Sequence, residues 1–508
     1  MRKAIIFLIA ALILPCIGWG YGNNQALEII APKASGTGSP AISSNHRCFR
    51  AYPGITYEFR AQVIGGAYPY VFSLSNAPDG MTINRSTGVI TWANPQTSAS
   101  NITLTVQDRD GDSASSSWSI TVGTSGFLFV NSSYSGTETG TISQPFNSIQ
   151  DLLDLDRSHE SDFVYFRTGS YPVPTYHPDY GPGNGCSLSY DGGKPHIWMG
   201  YPGESVTIDM DEHYFCTGQE TTPYYFGRLR FHNSSEYGFA ASSRSNYATF
   251  YRCEFDTLTT GRTDNSNQGF YFTFAEGTGN YLVFQDCEFH DYTGTSGIGS
   301  LYCQNKILIE GCQFYNQYAG GTDICTAIGL KTSITNSTIR GNQADISAGG
   351  VFGSVNSAFT QTPGYEYSSG NEICFNYFRS TGTHACMYNN NGNQGSLYHY
   401  RNTTVGSVVM RDLVSPDSCE GPWYFDSNVF QNSASGLTYH YTCENGSSCI
   451  TSYDGNLGGT TGLVDENGLL VNRDYVGTYG WEIAESEYYE GSGNDCSNWN
   501  VPGTMRVR

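Results

Sequence analysis

Lys306 and Lys331 are the only lysines after Lys194 in this chain of 508 residues. Each stands six positions before a small residue, Cys312 or Ser337, within a repeating spelling. Two lysines at equivalent places in neighbouring repeats would grip a carboxylate, and the neighbouring charge would lower the pKa of one amine toward that of a working base. β-Elimination of an acidic polysaccharide needs such a base, together with a group or cation that neutralises the uronate. A second column, Asp256, His290, Tyr315, Arg340 and Arg379, follows the apolar position of the same repeat by one residue. It is flanked by Glu254, Glu288, Gln313, Thr338 and Tyr377. Arginines bind carboxylates at two points and tyrosines stack on sugars. A third group, Tyr271, His384 and Tyr388, with Glu276, Asp323, Tyr439 and His440, lies on or beside the expected first strand of each repeat. The competing reading of the first two groups is a solvated turn or face that tolerates long polar side chains. Asp108, Asp110 and Asp112 place carboxylates at alternate positions and can supply oxygens to Ca2+. Their competing reading is a solvated hairpin turn, since no glutamate follows at the EF-hand position.

These residues need elements to hold them, and the repeat supplies the elements. It reads as an apolar residue, two residues, a small or polar residue, one residue, an apolar residue. Copies are Phe226/Leu229/Phe231, Phe250/Cys253/Phe255, Phe284/Cys287/Phe289, Ile309/Cys312/Phe314, Ile334/Ser337/Ile339, Ile373/Asn376/Phe378, Tyr400/Thr403/Val405 and Phe425/Asn428/Phe430. The central residues are spaced by 24, 34, 25, 25, 39, 27 and 25. A period near 25 with occasional insertions marks a solenoid, and short repeats punctuated by Gly and Asn mark a β-solenoid. The last apolar column is expected to stack inside it, and Asn246, Asn280 and Asn305 to form an amide ladder, since stacked coils lie about 4.8 Å apart.

Composition sets the class. Sixty glycines and 38 tyrosines with 14% charged residues favour turn-rich β-structure. The net charge of -21 leaves nothing to neutralise phosphates, so a nucleic-acid partner is excluded. The opening MRKAIIFLIAALILPCIGWG reads as a signal peptide over residues 1–20, with Arg2 and Lys3 before an apolar run. A retained anchor is the alternative. No later run is apolar enough to span a bilayer, so a secreted or cell-surface protein is expected.

Residues 27–123 read as a separate sandwich. YEFRAQVIGG, STGVITWANP, SNITLTVQDRDGD and SWSITV alternate β-branched or aromatic with polar residues. With Gly65-Gly66, Pro69-Tyr70, Ala77-Pro78-Asp79-Gly80 and Ser86 to Trp92, this segment resembles the Ig-like and cadherin-like repeats of bacterial surface proteins. Such modules act as spacers or binding units.

From Phe127 the spellings FVNSSYSGTETGTISQPFNSIQDLLDL, DFVYFRTGSYPV and KPHIWMGYPGESVTIDMD, followed by the repeat, resemble the right-handed parallel β-helix of pectin-lyase-like secreted proteins. The resemblance implies an all-β chain: an Ig-like β-sandwich, then a right-handed parallel β-helix of roughly ten coils over residues 127–450, then a cap or tail over 451–508. It also implies an Asn or small residue at the bend between second and third strands, where Asn376 and Asn428 fit. Several families with this fold cleave polysaccharides, but the hydrolase motifs of the polygalacturonase type and the full calcium-aspartate set of pectate lyases are missing. The expectation is an exported protein that recognises an extracellular polysaccharide. Lys306, Lys331, Arg340 or Arg379 would be base or uronate clamp for β-elimination, and His290, Tyr315, Tyr271, His384 and Tyr388 would touch the sugar. The alternative is a non-catalytic cell-surface adhesin or structural protein.

Of 15 cysteines, 14 remain after Cys16, and no CxxC pair occurs, which argues against zinc. Cys287 and Cys312 are expected buried and reduced. Cys443 with Cys449, Cys186 with Cys216, and Cys303 with Cys325 are candidate disulfides.

Overall fold

The computed structural model describes residues 25–459, apart from residue 40 and a series of segments between strands, among them 155–161, 188–195, 260–269, 319–326, 331–334, 347–358, 362–369, 381–386, 391–396, 412–422 and 432–449. The described chain is nearly all β. Its Ig-like part comprises an antiparallel sheet of Arg50–Ala51, Ser113–Val122, Ala99–Gln107 and Val71–Ser75, and a second of Tyr57–Arg60, Val89–Trp92 and Met81–Ile83. In Ala99–Gln107 alternate residues Ile102, Leu104 and Val106 are buried, as a half-buried strand requires.

From Phe127 three long parallel sheets take over, with 7, 13 and 11 strands. Successive strands visit the three sheets in turn, as in Phe239–Ser243, Asn246–Tyr251 and Glu254–Thr259, which is the path of a β-solenoid. The helix Ile149–Leu153 opens with a capping box between Ser148 and Asp151, and Ile149 and Leu152 pack into the solenoid core beside its first strands.

Inside, the expected stacks form. Phe231, Phe255, Phe289 and Phe314 lie in register in the third sheet, with ring centroids 5.1, 4.8 and 4.9 Å apart. Phe226, Phe250 and Phe284 do the same in the second. Each buried phenylalanine removes enough apolar surface from water to contribute about 1.5–3 kcal/mol. Asn246, Asn280 and Asn305 are in register, and the next position is Thr335, whose hydroxyl donates to Asn305 Oδ1 at 3.2 Å.

The repeat register departs from expectation after Cys312. Phe314 pairs with Ala344, not Ile339, and Ile339 pairs with Ile309 in the second sheet. The bend residue is therefore Asn342, followed by Asn376 and Asn402, in place of Ser337 and Thr403. The spelling ITNSTI mimics the repeat five residues early, while Ala344 hides the true copy by replacing the phenylalanine.

The bends work by hydrogen bonding. Cys253 Sγ donates to the Phe226 carbonyl at 3.2 Å, and Cys287 Sγ to that of Phe250 at 3.4 Å. Asn376 Oδ1 accepts from the Asn342 amide N–H at 3.0 Å, and its Nδ2 donates to the Ile339 carbonyl at 2.9 Å. Asn402 repeats the arrangement one coil on. The residue before each bend adopts a left-handed conformation, from Arg252 at φ 51° through Asp286 at 55° to Gly311 at 68°. A second left-handed column runs Tyr247, Tyr281, Lys306, Asn336 and Gly370. Asn336, not Lys331, is thus the equivalent of Lys306. At Gly370 an added Cβ would meet Asn336 Oδ1 at 2.8 Å.

The Ig-like part lies along the outer face of the second sheet. Tyr52 packs on Phe127 and Phe129 at one end, and Tyr68 on Phe375 at the other, 4.9 Å between centroids. Between them Gln62 donates to Thr249 Oγ1, Gln285 to the Ala61 carbonyl, Tyr251 to Glu58 and the Gly65 amide to Thr338 Oγ1. Buried Arg60 bridges Asp286 and Glu310. The two parts share one continuous apolar cluster, so the Ig-like part is a brace along the solenoid and not a spacer at its end.

Cys48, Cys253, Cys287 and Cys312 are free thiols, and they and Cys374 are buried. Burial and the flanking thiols of Cys253 and Cys312 push the Cys287 thiol well up. Cys186 and Cys216 sit in adjacent strands one residue out of register. Cys325, Cys443 and Cys449, like residues 1–20 and most of 451–508, lie outside the described residues.

Candidate functional site

The third sheet presents its polar residues on its outer face. The triplets Arg230-Phe231-His232, Glu254-Phe255-Asp256, Glu288-Phe289-His290 and Gln313-Phe314-Tyr315 pair in register. Each phenylalanine points into the core, so strand alternation sends both neighbours outward. Two columns result: Arg230, Glu254, Glu288, Gln313, and His232, Asp256, His290, Tyr315.

These side chains form one connected network. Arg230 Nε lies 3.1 Å from both Asp256 Oδ1 and Glu254 Oε1, and its Nη2 also bonds Asp256 Oδ2. His232 Nδ1 is 3.0 Å from Asp256 Oδ1. His290 Nε2 is 3.2 Å from Glu254 Oε1 and its Nδ1 is 2.8 Å from Asp291 Oδ2. The Tyr315 hydroxyl donates to Glu288 Oε2 at 3.1 Å. Burial alone would raise the carboxyl of Asp256, which is 3% exposed; the hydrogen bonds from Arg230 and His232 outweigh it and hold the pKa below the ordinary carboxylate value. Burial, and then the Glu288 carboxylate, push the Tyr315 phenol to about 12.

The rings of His290 and Tyr315 stack 4.8 Å apart and 6° from parallel. Their faces are turned toward each other along the solenoid axis, so they offer edges to solvent and not the sugar-stacking platform expected of Tyr315. Glu254, Asp256 and His290 bring ligand atoms within 4.8 Å of one another. Arg230 already supplies positive charge there, so a cation would compete with a guanidinium. Beside the network a groove of about 430 Å³ runs along the bend, lined by Arg252, Glu254, Asp286, Glu288, Gly311 and Gln313. Asp286 is bound to Arg60, whereas Arg252, though tied to Glu58 at 2.8 Å, keeps 44% of its side chain exposed, so the groove offers its guanidinium together with Glu254, Glu288 and Gln313.

Other expected site residues lie elsewhere. Lys306 Nζ sits 2.8 Å from each Glu28 carboxylate oxygen and 3.3 Å from the Tyr281 hydroxyl. Burial would lower its pKa, but Glu28 overrides this and raises it, the reverse of what a general base needs. Arg340 belongs to the second sheet, is 1% exposed, and is held by Glu310, Tyr70 and the Val63 carbonyl. Lys331 and His384 lie outside the described residues. Arg379, Tyr271 and Tyr388 are placed only by backbone: Arg379 pairs with Asp345 in the third sheet, Tyr271 with Gly299 in the first, and Tyr388 with Val409.

Asp108, Asp110 and Asp112 form a turn and gather no ligand set. Asp108 Oδ2 accepts from the Ala67 amide and Oδ1 from that of Asp112, each at 2.8 Å, while Asp110 pairs with Arg109. Arg230 and His232 were missed as site residues. Their signal was available: RFH is the same polar-Phe-polar triplet, one coil before EFD.

Residues 40–123 match the family described as "Putative Ig domain". A solved structure named "Rhamnogalacturonan lyase" is similar at 12% identity and a TM-score of 0.36, over 70% of this chain and 98% of that one. No curated protein matches the chain. Among the described residues no helix is long and apolar enough to cross a membrane.

Proposed function

We propose that the protein is exported and recognises an extracellular polysaccharide along the outer face of the third sheet, with the Ig-like part as a structural brace. The observation that carries this reading is the network from Arg230 to Tyr315. Arg230 Nε, both His290 nitrogens and the Tyr315 hydroxyl are engaged within the network, whereas Glu254 and Glu288 present carboxylate oxygens to the solvent and the adjoining groove. Such a surface accepts hydrogen bonds from a ligand rich in hydroxyls, and its fixed geometry lowers the entropic cost of binding.

Recognition without cleavage is favoured over β-elimination. Lys306 and Arg340, two of the candidate bases, are locked in ion pairs with Glu28 and Glu310. Incubation with alginate, pectate and glycosaminoglycans, with and without calcium, is expected to release no unsaturated uronate. Binding of the intact protein to an immobilised glycan panel, weakened about tenfold or more in the Glu254→Gln/Glu288→Gln variant, tests the surface. Wild-type affinity in that variant, or binding to no glycan, overturns it.

A further inference from the structure

We infer that Arg47 holds a small inorganic anion, of the size of chloride, inside the contact between the Ig-like part and the solenoid. Among the described residues three arginines are buried at this contact. Arg60 meets Asp286 and Glu310, and Arg340 meets Glu310. Arg47, on the short turn Arg47–Phe49, is 1% exposed, and no carboxylate among the described residues pairs with it. The titratable groups that act most strongly on its guanidinium are Tyr165, Tyr57, Tyr225 and Cys48. Burial pushes the phenols of Tyr57 and Tyr225 and the Cys48 thiol up, so these three are neutral neighbours. A guanidinium does not give up its proton, so a full positive charge lies out of water without the counterion that Arg60 and Arg340 each have. A buried charge left in that condition is strongly unfavourable.

The geometry of the side chain shows where the anion sits. Arg47 Nη1 donates to the Arg50 carbonyl at 2.6 Å, and the guanidinium carbon lies 4.4 Å from the centre of the Tyr57 ring. These contacts fix the group. Nε and Nη2, both buried, have no hydrogen-bond partner. The two nitrogens share one edge, the edge that Arg167 turns to Glu204 and Arg230 to Asp256. Parallel N–H bonds from that edge converge on an anion. The adjacent residue adds a further buried donor. Burial, and then the charge of Arg47, push the His46 pKa down to about 3, so its ring is neutral. His46 Nδ1 accepts from the Cys48 amide at 3.3 Å, which assigns the ring proton to Nε2, and Nε2 has no partner either. The orphaned groups are therefore N–H donors. Water would bring further hydrogens to them and no charge, whereas a halide only accepts and cancels the charge. His46 is 0% exposed beside Arg47, and so closed a contact suits a single-atom ion better than an organic acid.

The test is thermal melting of the full-length protein at constant ionic strength, with sodium gluconate replaced stepwise by sodium chloride or bromide. Gluconate is too large for an enclosed site. The melting midpoint is expected to rise by about 2 °C or more and then to saturate, as it does for a ligand that binds only the folded state. Arg47→Met keeps the apolar stem and needs no counterion. It is expected to melt at one temperature in all three salts, and above the wild type in gluconate. A second measurement does not depend on that variant folding: crystals of the wild type grown in bromide should show an anomalous-scattering peak within hydrogen-bond reach of Arg47 Nε and Nη2. A midpoint indifferent to the anion, an equal chloride effect in wild type and Arg47→Met, or the absence of a bromide peak at Arg47 overturns the inference.

Discussion

Arg340 Nε donates to Glu310 Oε1 at 2.8 Å, and the same guanidinium donates to the Tyr70 hydroxyl at 2.7 Å and the Val63 carbonyl at 2.9 Å. One side chain thus ties two adjacent coils to the Ig-like brace. Removing Arg340 takes from buried Glu310 one of its two arginine partners, Arg60 remaining, and leaves the Tyr70 hydroxyl and the Val63 carbonyl short of a donor. Arg340→Ala is therefore expected to lose about 3–5 kcal/mol in denaturant unfolding. Limited proteolysis should then cut first between brace and solenoid. A loss below about 1 kcal/mol would mean that the brace is held without this pair.

Glu372 offers a pH-dependent counterpart. It is buried at the same interface, and no side chain hydrogen-bonds either carboxylate oxygen. Burial raises its pKa to about 8, with Arg340 and the Gln25 backbone only partly offsetting and Asp108 adding to the rise. The folded pKa lies above the unfolded one, so its contribution is fully present below the unfolded value near 4.5 and is lost as pH climbs through about 8. Stability should fall by on the order of 3 kcal/mol between pH 5 and pH 8 from this group. Glu372→Gln should flatten that slope in melting curves; an identical slope in wild type and variant would refute the assignment.

The asparagine bends predict a third outcome. Asn376→Ala would leave the Asn342 amide and the Ile339 carbonyl without their side-chain partner, while Asn402 Oδ1 keeps the backbone amide at position 376. The expected loss is about 2 kcal/mol, since each orphaned buried polar group costs on the order of 1 kcal/mol or more. Glycan affinity of the folded fraction should be unchanged, because Asn376 lies two coils beyond Cys312 and outside the groove lining.

Cysteine chemistry gives a fourth. The four free thiols, Cys48, Cys253, Cys287 and Cys312, should resist a thiol reagent in the native protein and react once it is denatured without reductant. Fewer than four reactive thiols after denaturation would show that some of them are oxidised.

How much of this was legible in the sequence depends on whether the cause was local. The triplets EFD, EFH and QFY declare both the inward phenylalanine and the outward polar pair, so His290 and Tyr315 were placed on the correct face. Register failed at Ser337 because a decoy spelling outcompeted a true repeat whose core residue had shrunk to Ala344. That slip moved Arg340 from the second sheet to the third, and with it the supposed carboxylate clamp. Lys306 was misread for a different reason: its partner Glu28 lies 278 residues away, and contact between distant segments leaves no periodic trace. The ladder of asparagines was legible at Asn376 and displaced on either side of it, where Asn342 and Asn402 stand in place of Ser337 and Thr403.

The brace also bears on how this chain can change length. A solenoid ordinarily tolerates gain or loss of a whole coil, since each rung contacts only its neighbours. Here the Ig-like part grips the second sheet from Phe127 to Phe375 and spans nine consecutive strands. Duplicating a coil within that span would shift every later contact by about 4.8 Å and break the match between Arg60 or Tyr68 and its partner. Duplicating one beyond Phe375 would leave them untouched. Natural length variation among proteins of this architecture should therefore concentrate toward the C-terminal coils, while the braced span keeps a fixed rung count.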